Sequence, residues 1–263
     1  MDLGISGETA LVVGGSYGIG YESAKALLQE GADVLIASRD RARLDEAAKS
    51  LKADTGRDVA TFVADVLEAE DVTALAGWVT ERTKQLDILV SAVGGSQRKA
   101  FADLTDEEWL HNYHFNVLGA VRVVRAMLPA LRAADQGRVV LLGAAAARMP
   151  YPHQIVSNVH KAGVLSLTKT LAAELAPEGI RINSVCPGRT LTPLWINRAG
   201  GIARERGVDP QVVIEEFSEE IPMKRFGRPE ETAAMVVFLA SHKSSYVTGQ
   251  SVNVDGGIAR GLL

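Results

Sequence analysis

The stretch IVSNVHKAG, residues 155–163, sets a hydroxyl, an amide, an imidazole and an amine inside an otherwise apolar, helix-patterned segment. Ser157, Asn158, His160 and Lys161 fall within five positions, and Lys161 stands four residues after Ser157. That spacing puts the two side chains on one helix face, one turn apart. Such a pattern is an active site, the remnant of one, or the wet side of a helix. The segment before it, RMPYPHQ, adds Tyr151 and His153. Histidine titrates near neutrality, so His153 is chemically the best proton donor of the group, whereas Tyr151 needs a neighbour such as Lys161 to lower its pKa. The alternative is that both are pocket-wall or surface residues. His160 is expected to face away from the others in a structural role.

A second chemistry-bearing segment is VVGGSYGIG, residues 12–20. Gly14, Gly18 and Gly20 stand at G-x-x-x-G-x-G spacing, after a strand pattern and at the opening of a helix pattern. Glycines there let backbone amides approach a pyrophosphate, which rests on the positive helix N-terminus. The glycine pattern is weak alone, but its strand-before, helix-after context points to dinucleotide binding. The next strand ends IASRD. An acid at that tip bonds a ribose 2′-hydroxyl and an arginine accommodates a 2′-phosphate, so Ser38 and Arg39 favour NADP over NAD. The other reading of Arg39 is a solvated residue at a helix start. Asp65, ending the third strand pattern, either accepts from an adenine amino group or caps the next helix, and both can hold.

These residues must be positioned by a repeating framework. Short β-branched runs at 9–15, 33–38, 59–64, 86–92, 137–143, 180–186 and 251–255 read as strands. They are near-continuously apolar, as strands covered on both faces are. Helical patterns lie near 18–30, 41–53, 68–84, 105–134, 154–176 and 229–241, with Gly31 placed as a left-handed cap after the first. The alternation predicts an α/β fold, a single doubly wound parallel sheet of Rossmann type with about seven strands and helices on both faces. One domain is expected over 1–263, interrupted by a long connection at about 188–228 that carries Trp195, Phe217 and glutamates at 215, 216, 219 and 220. Its length predicts short helices and a substrate lid, with the aromatics packing the lid and the glutamates on a solvated face.

The bulk numbers narrow the function classes. Hydrophobic residues are 47% and charged residues 23%, which suits a globular chain with a sizeable core. A net charge of −4 gives no general attraction to nucleic acid or to an anionic membrane. The longest apolar run, VVLLGAAAA, is roughly half the ~20 residues of a membrane span. The acidic start MDLGISGETA has no apolar signal core, so a cytoplasmic protein is expected. Cys186, the one cysteine, excludes an internal disulfide and a cysteine-based metal cluster. His111 and His114 bracket a helix turn without further convergent ligands, so no metal site is expected.

The glycine turn, ADV at 64–66, NV at 116–117, SNVHKAG, INSVCPGRTLT and YVTGQSVNVDGG together resemble the short-chain dehydrogenase/reductase family over essentially the whole chain. The nearest likeness is to 3-oxoacyl-carrier-protein reductases, in an atypical subgroup with Ser-Asn at the start of the lysine helix. The resemblance implies that a tyrosine protonates a carbonyl while nicotinamide delivers hydride. A lysine lowers that tyrosine's pKa and holds the ribose, a serine steadies the carbonyl, and an asparagine orders a water behind the lysine. By position the lysine is Lys161 and the asparagine is Asn116. Ser157 stands where the tyrosine belongs and Ala144, thirteen residues earlier, where the serine belongs. An alkyl hydroxyl is far less acidic than a phenol of pKa about 10 and stops a ring's length short, so Ser157 does not simply take over.

Nucleotide contacts implied by the resemblance and the glycine turn are Gly14, Ser16, Tyr17, Gly18, Ile19, Gly20, Ser38, Arg39, Asp65, Val66, Gly94 and Lys161. Pro187, Gly188 and Thr192 match the segment that contacts the nicotinamide amide. Other positions depart from the pattern: Val13 replaces a threonine, SAVG at 91–94 replaces Asn-Asn-Ala-Gly, and Thr190 replaces an isoleucine. Ala173 stands where the carrier-protein reductases have an arginine, which argues against a carrier-protein substrate. The expected function is an NADP(H)-dependent oxidoreductase acting on a carbonyl or hydroxyl of a small organic substrate, with a degenerate tetrad. The alternatives are a non-redox lyase or isomerase on the same scaffold, and a catalytically weak dinucleotide-binding protein. A homotetramer is the expected assembly, with no nucleic-acid or membrane partner.

Overall fold

The computed structural model describes residues 2–261. Its framework is one sheet of seven parallel strands in the order β3-β2-β1-β4-β5-β6-β7. The strands are β1 Thr9–Val13, β2 Asp33–Ser38, β3 Ala60–Val63, β4 Ile88–Ser91, β5 Arg138–Leu142, β6 Arg181–Pro187 and β7 Ser251–Val254. The helices are α1 Gly18–Gln29, α2 Arg41–Thr55, α3 Ala69–Arg82, α4 Asp106–Tyr113, α5 Gly119–Arg132, α6 Ile155–Leu175, α7 Pro193–Arg206, α8 Pro210–Glu219 and α9 Pro229–Ala240. The expected α/β fold is present, with strand limits within a few residues of those read from the sequence.

Alternation along a strand sends successive side chains to opposite faces. In β1, Leu11 and Val13 join the core under α3, α5 and α6, while Ala10 and Val12 join the core under α1, α2 and α9. Strand order reverses between β1 and β4, which leaves a crevice beyond the carboxyl ends of the central strands. Gly31, at φ +90°, ends α1 in the left-handed conformation expected of it.

Two expectations are corrected. The single helix expected over 105–134 is divided, because a π-helical turn at His114–Leu118 separates α4 from α5. The connection after β6 holds not short helices but two full ones, α7 and α8, of 14 and 10 residues. Pro193 and Pro210 sit at their first turns, where a missing N–H costs nothing.

At the other edge of the sheet, buried charge closes the amino ends of the strands. Arg138, 1% exposed, pairs with Glu8 at 2.8 Å. His242 Nε2 lies 2.8 Å from the same Glu8 oxygen. Arg181 donates to the carbonyls of Leu239, Ser241 and Val247 and to Ser244 Oγ.

Candidate active site

A cleft of about 670 Å³ opens beyond the carboxyl ends of β1, β4 and β5. Its inner half is the glycine turn. Gly14 takes φ +84°, and a Cβ there would meet the Ala92 carbonyl oxygen at 2.9 Å. At Gly20 a Cβ would lie 2.1 Å from the Gly14 oxygen, so the turn closes only without side chains. No side chain caps the amino end of α1, which leaves its N–H groups open to an anion. Gly14, Tyr17, Gly18, Ile19 and Gly20 all line the cleft, whereas Ser16 lies in an adjoining groove with Tyr17, Arg43 and Asn197. Ser16 Oγ and Ser38 Oγ are buried without a hydrogen-bond partner among the described residues. Orphaned hydroxyls beside a side-chain-free crevice fit a dinucleotide, whose phosphate oxygens would supply the missing partners.

At the tip of β2, Arg39 is largely exposed, 3.8 Å from Asp65 and 5.9 Å above the Phe115 ring centre. Asp65 does not cap α3. Glu68 occupies that position, while Asp65 Oδ1 accepts from the Leu67 N–H at 3.0 Å. The Val66 side chain packs toward Gly119, and its carbonyl accepts from Arg122 at 3.2 Å.

The floor of the cleft is Lys161. Its Nζ donates to the Leu142 carbonyl at 2.9 Å, and burial pushes its pKa down to about 8. A Cβ on Gly94 would stand 2.6 Å from Lys161 Nζ and 2.7 Å from Asn116 Oδ1, so glycine at 94 holds the space in front of both groups. Asn116 sits in the π turn, where its Oδ1 accepts from the Gly95 N–H at 3.1 Å. Its Nδ2 donates to Asn112 Oδ1 at 3.0 Å, and His160 Nδ1 reaches that same oxygen at 2.8 Å. Because the shared oxygen only accepts, His160 carries its proton on Nδ1. The imidazole is buried, which lowers its pKa, and packs edge-on against Trp109 and Tyr113. As expected, His160 faces away from the cleft.

The remaining candidates separate. Ser157 is 3% exposed, and its Oγ accepts from the Gln97 N–H at 2.9 Å. Asn158 Nδ2 donates to the Tyr151 carbonyl at 2.9 Å. Tyr151 lines the cleft, but burial raises its pKa and the Arg189 guanidinium only partly opposes this. His153 is not among the cleft-lining residues. Its side chain is exposed, its backbone takes φ 60°, and its carbonyl accepts from the Lys99 N–H at 2.8 Å. Ala144, Pro187, Gly188 and Thr192 line the cleft beside Lys161. No group of three or more potential metal ligands occurs among the described residues.

A family model described as enoyl-(acyl carrier protein) reductase matches residues 13–259. Oxidoreductase UcpA of Escherichia coli (strain K12) is 33% identical over 255 residues, covering 96% of this chain and 95% of that one. Dehydrogenase/reductase SDR family member 4 of Homo sapiens is 34% identical over 258 residues, covering 96% and 88%. This chain is a short-chain dehydrogenase/reductase. Among solved structures, L-sorbose reductase from Gluconobacter frateurii, complexed with NADPH and L-sorbose, superimposes with a TM-score of 0.96 at 36% identity, covering 100% of both chains.

The outer end of this short-chain dehydrogenase/reductase cleft contains side chains the sequence did not single out. Arg98, Arg189 and Arg198 line it with Trp195, Phe217 and Glu220. Arg189 is ion-paired to Glu220 and donates to the Phe217 carbonyl. The rings of Phe217, Tyr151 and Trp195 surround its guanidinium at 4.8, 5.8 and 5.9 Å. Glu220 therefore faces the cleft, in contrast to Glu216 and Glu219, which pair with Arg206 and Lys224 at the surface. Arg189 follows Pro187 and Gly188 directly, and that adjacency was the one sequence signal for it.

Proposed function

We propose that the chain is an NADP(H)-dependent oxidoreductase that interconverts a carbonyl and a hydroxyl on a small organic molecule, with the tyrosine and serine of the family tetrad replaced. The observation that carries this reading is the continuity of the glycine crevice with Lys161 in one cleft, with Asn116 buried behind Gly94 and Gly94 keeping the space before both groups clear. The NADPH complex of the sorbose reductase, similar over its whole length, supports the choice of nucleotide.

Bound in this cleft, the nucleotide would supply or receive the hydride. The glycine turn and the open end of α1 hold its pyrophosphate, and Ser38 with Arg39 face the 2′-phosphate. Lys161 holds the ribose beside the nicotinamide, with Asn116 behind it, and Pro187, Gly188 and Thr192 border the ring. With Ser157 engaged by Gln97 and Tyr151 raised by burial, Lys161 Nζ, at about 8, is the cleft acid whose proton is nearest to transfer at neutral pH. His153 serves as donor only if the 151–154 connection turns inward.

The same facts favour one second reading, a protein that binds the nucleotide and transfers hydride weakly or not at all. Installing the missing groups separates the two. Ser157→Tyr with Ala144→Ser should raise NADPH oxidation against small activated ketones by roughly 10²-fold, the lower end of what a positioned general acid contributes. A double variant that binds NADPH yet transfers no hydride would establish the second reading.

We assign the assembly, from the family and from exposed Phe101, Leu110 and Tyr113 around α4, to a homotetramer, which sedimentation at micromolar concentration tests. Among the described residues no helix is long and apolar enough to cross a membrane. The single cysteine, Cys186, buried and free, is in keeping with a reducing, cytoplasmic location.

A further inference from the structure

We infer that the substrate carries a carboxylate on an apolar body, and that Arg198 is the residue that recognises it. The inference rests on the reading of the cleft as a nucleotide-dependent site and concerns its outer end. Three guanidinium groups, those of Arg98, Arg189 and Arg198, line that end against a single carboxylate among the described residues, Glu220. Glu220 is already taken by Arg189, whose guanidinium also bonds the Phe217 carbonyl and is enclosed by three rings. Arg189 is thus a strut of the wall. The nearby Asp255 is engaged as well, since its two oxygens accept from the Gly257 and Ala259 N–H groups at 2.9 and 3.0 Å.

Arg198 is different. Its guanidinium carbon lies over the Trp195 ring, 4.7 Å from the ring centre. One N–H donates to Ser96 Oγ at 3.2 Å, and Ser96 in turn donates to Gln154 Oε1 at 3.3 Å. None of the ion pairs among the described residues includes Arg198. It is partly buried, and Arg98 and Arg189 repel it. A guanidinium has five donors in a rigid fork, and here most of them point to no protein partner. A desolvated, unpaired cation beside two others is costly unless an anion completes it. A planar carboxylate matches the fork in a bidentate contact, the strong form of this interaction. The rest of the wall gives the remainder of the ligand its character. Trp195, Phe217 and Tyr151 are flat and apolar, and Gly143, Ala144, Ala145 and Ala146 carry almost no side-chain bulk.

Binding rather than turnover tests this, so it stands apart from the catalytic reading. Protein saturated with NADP⁺ is titrated calorimetrically with straight-chain and phenyl-substituted carboxylates from two to eight carbons, each beside its own primary amide. The expected result is that at least one acid binds roughly 10- to 100-fold tighter than its amide. Arg198→Gln should erase that preference, and Arg206→Gln, which removes an equal charge from the outer surface of the same helix, should keep it. Equal binding of every acid and amide, no binding of any acid, or a preference that survives Arg198→Gln overturns the inference. In the last case the Arg98→Gln/Arg198→Gln double variant tells whether Arg98 holds the anion instead. A matching loss of NADP⁺ affinity in Arg198→Gln also overturns it, by assigning the guanidinium to the nucleotide. Failure of NADP⁺ to bind the native protein refutes the nucleotide reading instead, and the acid–amide comparison without nucleotide then decides the anion site.

Discussion

Ser157 Oγ accepts a hydrogen bond from the Gln97 backbone N–H at 2.9 Å, which ties the first turn of α6 to the 95–99 loop over the cleft. The hydroxyl that stands in the place of a family acid is therefore a brace. Ser157→Ala should leave the Gln97 N–H without its partner and cost about 1–2 kcal/mol locally. Hydrogen exchange at Gln97 and its neighbours should accelerate while exchange in β4 and β5 stays slow. Unchanged exchange at Gln97 would show that the loop is held by other contacts. The brace also bears on Ser157→Tyr, because that change removes the hydroxyl from the Gln97 N–H while its ring extends into the cleft that Ser157 lines.

Lys161 predicts a stability gain from an inactivating change. Burial moves its pKa from 10.5 to about 8. Between these values the unfolded chain binds more protons than the folded one, so stability rises with pH through that window. Below pH 8 the full cost of charging a buried amine is present. Lys161→Met should therefore be more stable than the native protein at pH 7, by about 2 kcal/mol after loss of the bond to Leu142. The difference should shrink above pH 8 and be gone near pH 10.5. Urea unfolding at pH 7 and at pH 9.5, without nucleotide, measures it, and a variant less stable at both values would contradict the argument.

Nucleotide choice should follow the β2 tip. Arg39 is largely exposed and held only loosely near Asp65 at 3.8 Å, so its fork is available to a phosphate. NADPH should bind more tightly than NADH, and Arg39→Ala should reduce that preference by roughly tenfold. Ser38→Ala should reduce it less, since it removes a neutral donor. Titration by tryptophan fluorescence gives both ratios, and a preference untouched by Arg39→Ala would place discrimination elsewhere.

The periodic parts of this molecule were legible in its sequence, and so was the half of the site built from backbone. Apolar runs and glycine spacing are local properties, which is why β1, the crevice and α1 could be placed from residues 9–29 alone. Lys161 and Asn116 were legible through the family resemblance. His153 stands out in the sequence only by its imidazole chemistry. Its surroundings depend on the left-handed backbone at that residue and on the bond from Lys99, which residue type does not encode. Arg98, Arg189 and Arg198 come from three separate segments, and their convergence exists only once α7 and α8 fold over the cleft. The link from His160 through Asn112 to Asn116 likewise requires the π turn.

Stability should be most sensitive at the edge remote from the cleft. Arg138 is fully enclosed and Glu8 is its carboxylate partner at 2.8 Å. Glu8→Gln leaves a buried guanidinium uncompensated, which costs about 3 kcal/mol in comparable pairs. The denaturation midpoint should fall accordingly with NADPH affinity unchanged. A variant as stable as the native chain would mean that His242 and the Asp87 carbonyl suffice for Arg138.

The π turn at His114–Leu118 gives the α4–α5 rod one residue of slack. It takes up a residue beyond the α period inside a single wider turn, so α4 and α5 keep nearly the phase of an uninterrupted helix. Excising one residue there would restore an ordinary ladder and leave α4 facing almost as it does now. One residue removed from the regular ladder of α5 meets no such slack: it turns all of α4 by about 100° and parts Trp109 and Tyr113 from His160. A change of length is therefore absorbed in the turn and refused in the helix beside it.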